Sequence, residues 1–389
     1  MGGFVVFLLV LLIVAILLRI DFFVTIVYLF MGVYVMSRFW TQRIKKNLDV
    51  QQQFVDHVFS GDTVTLDITI KNAGWLPIPW LLITETLPVE LTPPVPAELL
   101  HLGSYEERHI TYSFMCRRRG YYSIGPLKSA SGDLLGIMPR INRELARKYL
   151  IVYPKIVTLD QLGLPTRSPL AALPSRSPLF EDTTRVMGVR SYQPGDSMRR
   201  IHWTATARTG ELLVKRYQPA IARETLICLD LNSADYTDRY TAPELAISVA
   251  ASIAYHIIVR ERQAAGLATE ATDPAIRDRR QFYLAPRLER IHLIQMLEVL
   301  ARVQTAQNIP FIELLQRERG RMAWGTTMTI ITGSQSDELF ETLIGLQRSG
   351  FMLALILVRP KHTPTMDRLV PRGTAIYRVW NEQDVEVLR

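Results

Sequence analysis

Cysteine is nearly absent: Cys116 and Cys228 are the only two in 389 residues, and they stand in unrelated surroundings. Neither belongs to a pair spaced for zinc or redox chemistry, which excludes a disulfide-stapled fold and favours a reducing compartment. Acids are in mild deficit, 37 against 45 Lys and Arg, for a formal net charge of +8. With 48% hydrophobic and 21% charged residues, that balance excludes a disordered polyelectrolyte. Also missing is a serine or cysteine nucleophile set beside a base and a third, orienting group. The length suits two or three units, at roughly 100–200 residues per domain, each able to bury a core.

Apolar residues are concentrated at the start. From Phe4 to Met36 the chain is broken only by Arg19, Asp21 and weakly polar residues such as Thr25 and Tyr28. One straight helix of that length would span about 50 Å, well past the ~30 Å hydrocarbon core of a bilayer. A hairpin fits better, with legs Phe4–Leu18 and Phe22–Met36 of about 22 Å each and Arg19-Ile20-Asp21 turning at the far interface. A cleaved signal peptide is disfavoured, because no basic residue precedes the run and no small-x-small site follows it. Arg38, Arg43, Lys45 and Lys46 come next without an acid between them, which orients both termini and the soluble body to the cytoplasm. Residues 1–46 are thus expected to be a transmembrane hairpin with a basic juxtamembrane segment in the plasma (inner) membrane. The surplus positive charge behind it suits an anionic leaflet better than nucleic acid.

Residues 47–153 alternate in short runs separated by turn signals, the pattern of an all-β sandwich. In Val64–Ile70 the residues Val64, Leu66, Ile68 and Ile70 share one face, Thr65, Asp67 and Thr69 the other, and Asn72-Ala73-Gly74 ends the strand. Further strands are expected at Trp80–Thr84, His109–Cys116 and Tyr121–Ile124. Pro77, Pro79, Pro88, Pro93, Pro94 and Pro96 mark edges and loops, since each removes a ladder donor. Arg117-Arg118-Arg119-Gly120 has neither a glycine-rich phosphate loop nor interleaved aromatics, and reads as a solvated strand end. Ser131–Gly136 reads as a turn. A linker follows over 154–189, in which Gln161–Pro178 is rich in Pro, Leu and Ser.

The densest chemistry begins at Arg190. Pro194-Gly195 favours a type II turn, and Asp196 stands where a helix N-cap is wanted. Met198, Ile201 and Ala205 would share one face of the short helix that follows, Gly210 would end it, and Glu211–Tyr217 alternates like a strand. Arg190, Arg199, Arg200, Arg208, Lys215 and Arg216 face only Asp196 and Glu211. Two readings stay open. The surplus cations could clamp a carboxylate, phosphate or lipid headgroup. Alternatively, Asp196 caps the helix and pairs with an arginine while Trp203 packs in the core. His202 has no acid or nucleophile at a recognisable spacing and reads as structural.

After Arg223, apolar strands alternate with helices. Strands are expected at Thr225–Leu229, Gly266–Thr269, Met328–Thr332, Phe351–Val358 and Ala375–Trp380. Helices are expected at Leu245–Val259, Leu288–Val303 and Asp337–Arg348. Continuous apolar strands between helices predict a mainly parallel sheet covered on both faces, with ligands at the strand carboxyl ends. Cys228, inside an apolar strand, reads as inert.

The string Arg190-x-Tyr192-x-Pro194-Gly195-Asp196-x-x-Arg199-x-Ile201-x-Trp203-x-Ala205-x-Ala207-Arg208, followed by Leu212-x-Val214-Lys215, closely resembles the signature of the bacterial domain of unknown function 58 family. Asn72-Ala73-Gly74, Arg119-Gly120-Tyr121-Tyr122, Ser131-Gly132-Asp133 and Tyr153-Pro154 are similar to that family as well. The resemblance implies an immunoglobulin-like β-sandwich and, over 190–389, the signature followed by a von Willebrand factor A-like α/β domain. In such domains an Asp-x-Ser-x-Ser loop, with a threonine and an aspartate from later loops, holds a divalent cation through oxygens. Here Asp230-Leu231-Asn232-Ser233-Ala234 keeps Asp230 and an amide oxygen on Asn232, Ala234 supplies nothing, and Thr332-Gly333-Ser334 has no aspartate. Asp230 and Asn232 are therefore weak metal candidates, and no cofactor is expected.

The function expected is a non-enzymatic, membrane-anchored protein-interaction scaffold whose binding residues are Arg190, Tyr192, Asp196, Arg199, Trp203, Arg208 and Lys215. The resemblance implies a MoxR-type AAA+ ATPase as partner, with a transglutaminase-like membrane protein as a second. The alternative is an enzyme or binding module acting on an anionic cell-envelope substrate, with Asp196 or His202 as acid or base and the arginines as the anion clamp.

Overall fold

The structure, a computed structural model, describes residues 2–18, 21–162, 164, 181–193, 196–219, 224–276, 278–307, 310–360 and 374–381. The chain divides into two units, Met1–Lys155 and Ile156–Arg389.

Unit 1 opens with two helices, α1 (Gly2–Leu18) and α2 (Asp21–Asn47). They lie side by side and antiparallel, with the rings of Phe7 and Phe30 meeting edge to face at 5.9 Å. Of the expected turn, Arg19 and Ile20 lie outside the described residues, and α2 starts at Asp21. The basic segment after Met36 is not a free juxtamembrane tail. It forms the last turns of α2 and docks on the β-domain: Ile44 is buried in the β core, and Trp40 Nε1 donates to the Pro77 carbonyl at 3.1 Å.

That domain contains β1 (Leu48–Gln53), β2 (His57–Phe59), β3 (Thr63–Asn72), β4 (Ile78–Thr84), β5 (Glu98–Leu102), β6 (Glu107–Met115), β7 (Gly120–Ile124), β8 (Lys128–Ser131), β9 (Ile141–Glu144) and β10 (Lys148–Tyr153). They form three sheets, in the orders β1-β3-β6, β2-β10-β7 and β5-β4-β8-β9, around one apolar core. The alternation read in β3 holds: Val64, Leu66, Ile68 and Ile70 are buried. Pro79, expected at an edge or loop, instead lies inside β4, where the register with β5 slips between Ile78 and Leu81 and no ladder donor is needed.

In unit 2, residues 163 and 165–180 of the expected linker lie outside the described residues, but 181–189 belong to a strand, β11 (Glu181–Ser191). It pairs antiparallel with β12 (Leu213–Pro219), and α3 (Trp203–Thr209) lies between the two in the chain. The α/β body follows: β13 (Glu224–Leu229), α4 (Thr241–Tyr255) extended by a π-helical turn over His256–Arg260, β14 (Ala264–Asp273), β15 (Asp278–Arg287), α5 (Arg290–Arg302), α6 (Phe311–Arg321), β16 (Thr327–Thr332), α7 (Asp337–Arg348), β17 (Met352–Val358) and β18 (Ala375–Val379). The sheet order is β15-β14-β13-β16-β17-β18, parallel except for the antiparallel β14–β15 pair at one edge. Leu226, Cys228, Met328, Ile330, Leu353 and Leu355 meet α6 and α7 on one face, while α4 packs on β13, β16 and β17 from the other. Coverage of both faces explains why these strands read as unbroken apolar runs. Strand order reverses between β13 and β16, which makes their carboxyl ends the switch point of the sheet.

Candidate functional site

Two places answer to the residues singled out by the sequence: the ribbon β11–α3–β12, and the switch point beyond β13 and β16.

In the ribbon, the Tyr192 N–H donates to Leu212 O at 2.9 Å and the His202 N–H donates to Leu213 O at 2.8 Å. Ile201 bridges Val214, and both are buried. This bridge breaks the single helix expected from Asp196 onward, because Ile201 must be extended (φ −63°, ψ 132°) to reach Val214. What forms is a 3₁₀ turn over Met198–Arg200, then α3, which is capped by the His202 ring: Nδ1 accepts from the Ala205 N–H at 3.2 Å. Gly210 closes α3 in the left-handed conformation (φ 78°), as read from the sequence.

Asp196 does not cap forward. Its carboxylate turns back, accepting from the Gln193 N–H at 2.9 Å and from both Arg190 Nη atoms at 2.6 Å. The Arg190 fork, first, and the Gln193 amide hold the Asp196 carboxyl down at about 2. Pro194 and Gly195, between them, lie outside the described residues.

Trp203, read as a candidate core residue in one alternative, is 66% exposed, and Met198 is 73% exposed. Of the apolar face proposed for Met198, Ile201 and Ala205, Ile201 is buried and Ala205 half-buried, while Met198 is not part of it. Arg199, Arg200 and Arg208 are exposed, while Tyr192 and Lys215 are half-buried. Among the described residues no acid lies within ion-pair reach of Arg199, Arg208 or Lys215. The structure therefore joins Arg190 to Asp196 and leaves Trp203 and Met198 exposed in a stretch of chain that also carries exposed Arg199, Arg200 and Arg208. Met198 was the residue the sequence reading missed, since its helical spacing to Ile201 suggested burial.

At the switch point, the wholly buried Asp230 spends both carboxyl oxygens internally: Oδ2 accepts from Thr332 Oγ1 at 2.7 Å and Oδ1 from the Asn232 N–H at 2.9 Å. The Asn232 amide donates from Nδ2 to Asp235 Oδ2 at 2.8 Å, and its Oδ1 accepts from the Ala234 N–H. Burial, with a smaller push from neighbouring Asp235, raises the Asp230 carboxyl well above the ordinary carboxylate range. A hard divalent cation needs about six oxygens turned toward one point, and this donor set, with its oxygens committed to internal donors, does not fit one. Asp230 caps the end of its strand. Among the described residues no group of three or more His, Cys, Asp and Glu is placed to hold a metal. The Cys228 thiol is fully buried, and burial pushes it far up, out of reach of nucleophilic chemistry.

Residues 188–348 match the family model described as "Protein of unknown function DUF58". The chain is 26% identical over 216 residues to the "Uncharacterized protein YeaD" of Bacillus subtilis (strain 168), covering 54% of this chain and 52% of that protein. It thus spans about half the length of that relative. Among solved structures it is similar to the CARDB domain of PF1109 from Pyrococcus furiosus, at 18% identity and a TM-score of 0.22 over 27% of this chain and 94% of that one. It is also similar to a chain of the human complex of zinc 2-glycoprotein and prolactin inducible protein, at 14% identity and a TM-score of 0.21 over 26% and 92%. Likenesses at those scores carry no argument about function.

Proposed function

We propose that the chain is a membrane-anchored scaffold whose soluble units face the cytoplasm and whose ribbon β11–α3–β12 docks a protein partner. The observation that carries this reading is the exposure of Trp203 and Met198, with Arg199 and Arg208 exposed in the same stretch of chain, on a segment pinned by backbone bonds. Trp, Met and Arg are the residues enriched where protein interfaces concentrate their energy, and exposed large apolar groups rimmed by charge mark such places. The cations favour a partner with an acidic surface. A MoxR-type AAA+ ATPase is the partner implied by the family resemblance, and a transglutaminase-like membrane protein is a second. The sheet order, with its antiparallel edge strand, supports reading the α/β body as von Willebrand factor A-like, and the three small sheets around one core support an immunoglobulin-like reading of the β-domain. In this reading α1 and α2 cross the bilayer as a pair, with α2 long and apolar enough to do so on its own. No reaction is assigned to the chain: the Asp196 carboxylate, weighed as an acid or base, is engaged by Arg190.

The test is capture of the purified MoxR-type ATPase of the same cell by the full chain in detergent. Trp203→Ala with Met198→Ala should weaken capture at least about tenfold, the effect of losing one hot spot, while the melting profile is unchanged. Capture at parental affinity by the folded double variant would overturn the reading.

A further inference from the structure

The turn Gly132–Gly136 carries two adjacent exposed leucines, Leu134 at 71% and Leu135 at 67% exposure. They are not on a slack loop. The buried Asp133 carboxylate accepts from the Ile137 N–H at 3.0 Å and the Met138 N–H at 3.1 Å, and the Asp133 carbonyl accepts from Trp80 Nε1 at 3.1 Å. Met138 is drawn into the interior, so the tip between Asp133 and Ile137 must project. The same carboxylate accepts from Ser37 Oγ at 2.5 Å. Ser37 directly follows Met36, where the apolar stretch of α2 ends, and the exposed side chains of Val35 and Met36 precede it. One hydrogen bond therefore fixes the two leucines at the level where α2 leaves its apolar stretch. Near the turn stand groups of the kind an interfacial contact needs: the Arg140 guanidinium is 5.8 Å from the centroid of the half-buried Trp80 ring, whose Nε1 donates to the Asp133 carbonyl, and Arg38, next to Ser37, is exposed on α2. Aromatic rings and cations at that height suit the headgroup layer.

We propose that the Gly132–Gly136 turn is a second membrane contact: Leu134 and Leu135 enter the acyl boundary of the bilayer that α2 crosses, with Arg140 and Arg38 at the anionic headgroups. This rests on the membrane-anchored reading above. Its consequence is that the β-domain is held at two points, by the docked end of α2 and by the turn.

The experiment uses the full chain in nanodiscs of phosphatidylethanolamine and phosphatidylglycerol, with an environment-sensitive dye on one introduced cysteine and brominated lipid as quencher. Cys116 and Cys228 are buried, and the parent chain labelled in parallel gives the background. The sites are Leu134→Cys, Leu135→Cys, Tyr28→Cys on α2, and Gln53→Cys, which neighbours Gln52, whose amide reaches Glu85 just beyond the end of β4 remote from the turn. The expected result is blue-shifted, lipid-quenched emission at residues 134, 135 and 28, and water-like, unquenched emission at 53. Quenching at 28 with water-like emission at 134 and 135 overturns the second contact and leaves the anchor standing. Shielding at 134 and 135 without lipid quenching assigns the leucines to a protein neighbour and also overturns it. Water-like emission at 28 removes the anchor and this inference together.

Discussion

Arg190 and Asp196 lock the start of the signature segment through a fork of two 2.6 Å bonds, Nη1 to Oδ2 and Nη2 to Oδ1, with the Gln193 amide as a third donor. The pair holds both oxygens of the Asp196 carboxylate. Arg190→Lys keeps the charge but cannot reproduce the fork. The expected outcome is faster hydrogen exchange at the Gln193 amide with α3 amides unchanged. Because the Asp196 carboxyl is held near 2, below its ordinary 3.8, the ordering is fully present above about pH 4 and is lost as pH falls through about 2. Parental exchange in the lysine variant would show that backbone contacts alone hold the turn.

Arg199 and Arg208 are exposed on either side of Trp203 in the chain. Reversing one, Arg199→Glu or Arg208→Glu, should slow association with an acidic partner and flatten its dependence on ionic strength, while dissociation changes little. Stopped-flow association at two salt concentrations reads this directly. An unchanged salt slope would remove electrostatic steering from the account.

Glu85, buried beside Gln52 in the β-domain, is a pH-dependent weak point. Burial pushes its carboxyl to about 7 from 4.5, opposed by the Thr86 amide. The folded state holds the proton more tightly than the unfolded one, so the stabilisation is complete below about 4.5 and is lost as pH rises to 7. With solvent screening the loss is about 1–2 kcal/mol. Glu85→Gln should flatten the dependence, measured by hydrogen exchange at the amides of Leu66 and Ile68 in β3. A variant with the parental slope would place the titration elsewhere.

Thr332→Val deletes the hydroxyl that satisfies Asp230 Oδ2 and should cost about 1–3 kcal/mol, the penalty of an unpartnered buried polar group. Asp230→Asn should be tolerated at pH 7, since burial already favours the uncharged acid. Magnesium titrated calorimetrically into the full chain should give no saturable heat. Saturable binding that disappears in Asp230→Ala would restore a metal site.

Much of the architecture was legible in the chain. The period-two burial of β3 and the unbroken apolar runs of β13, β16 and β17 follow from which faces are covered, and that requirement is written residue by residue. Asp337–Arg348 was read to its ends because Ser336 caps α7, its hydroxyl accepting from the Leu339 N–H, and acids fill the first turn. Among the elements not foreseen, β11, β15 and α6 are rich in charge, so the apolar periodicity that marks an element is weak in them.

By itself the sequence determined the apolar hairpin, the alternating strands, the parallel sheet, and the crowding of cations after Arg190. Each depends on side chains a few positions apart, where geometry repeats with the period of the element. Tertiary structure alone decided that Trp203 and Met198 face solvent, that Asp196 turns back to Arg190, that Asp230 is capped by Thr332 from another strand, and that Ser37 meets Asp133 across 96 positions. Exposure and pairing of this kind are set by which surfaces the remaining elements leave uncovered, and no local spacing encodes that.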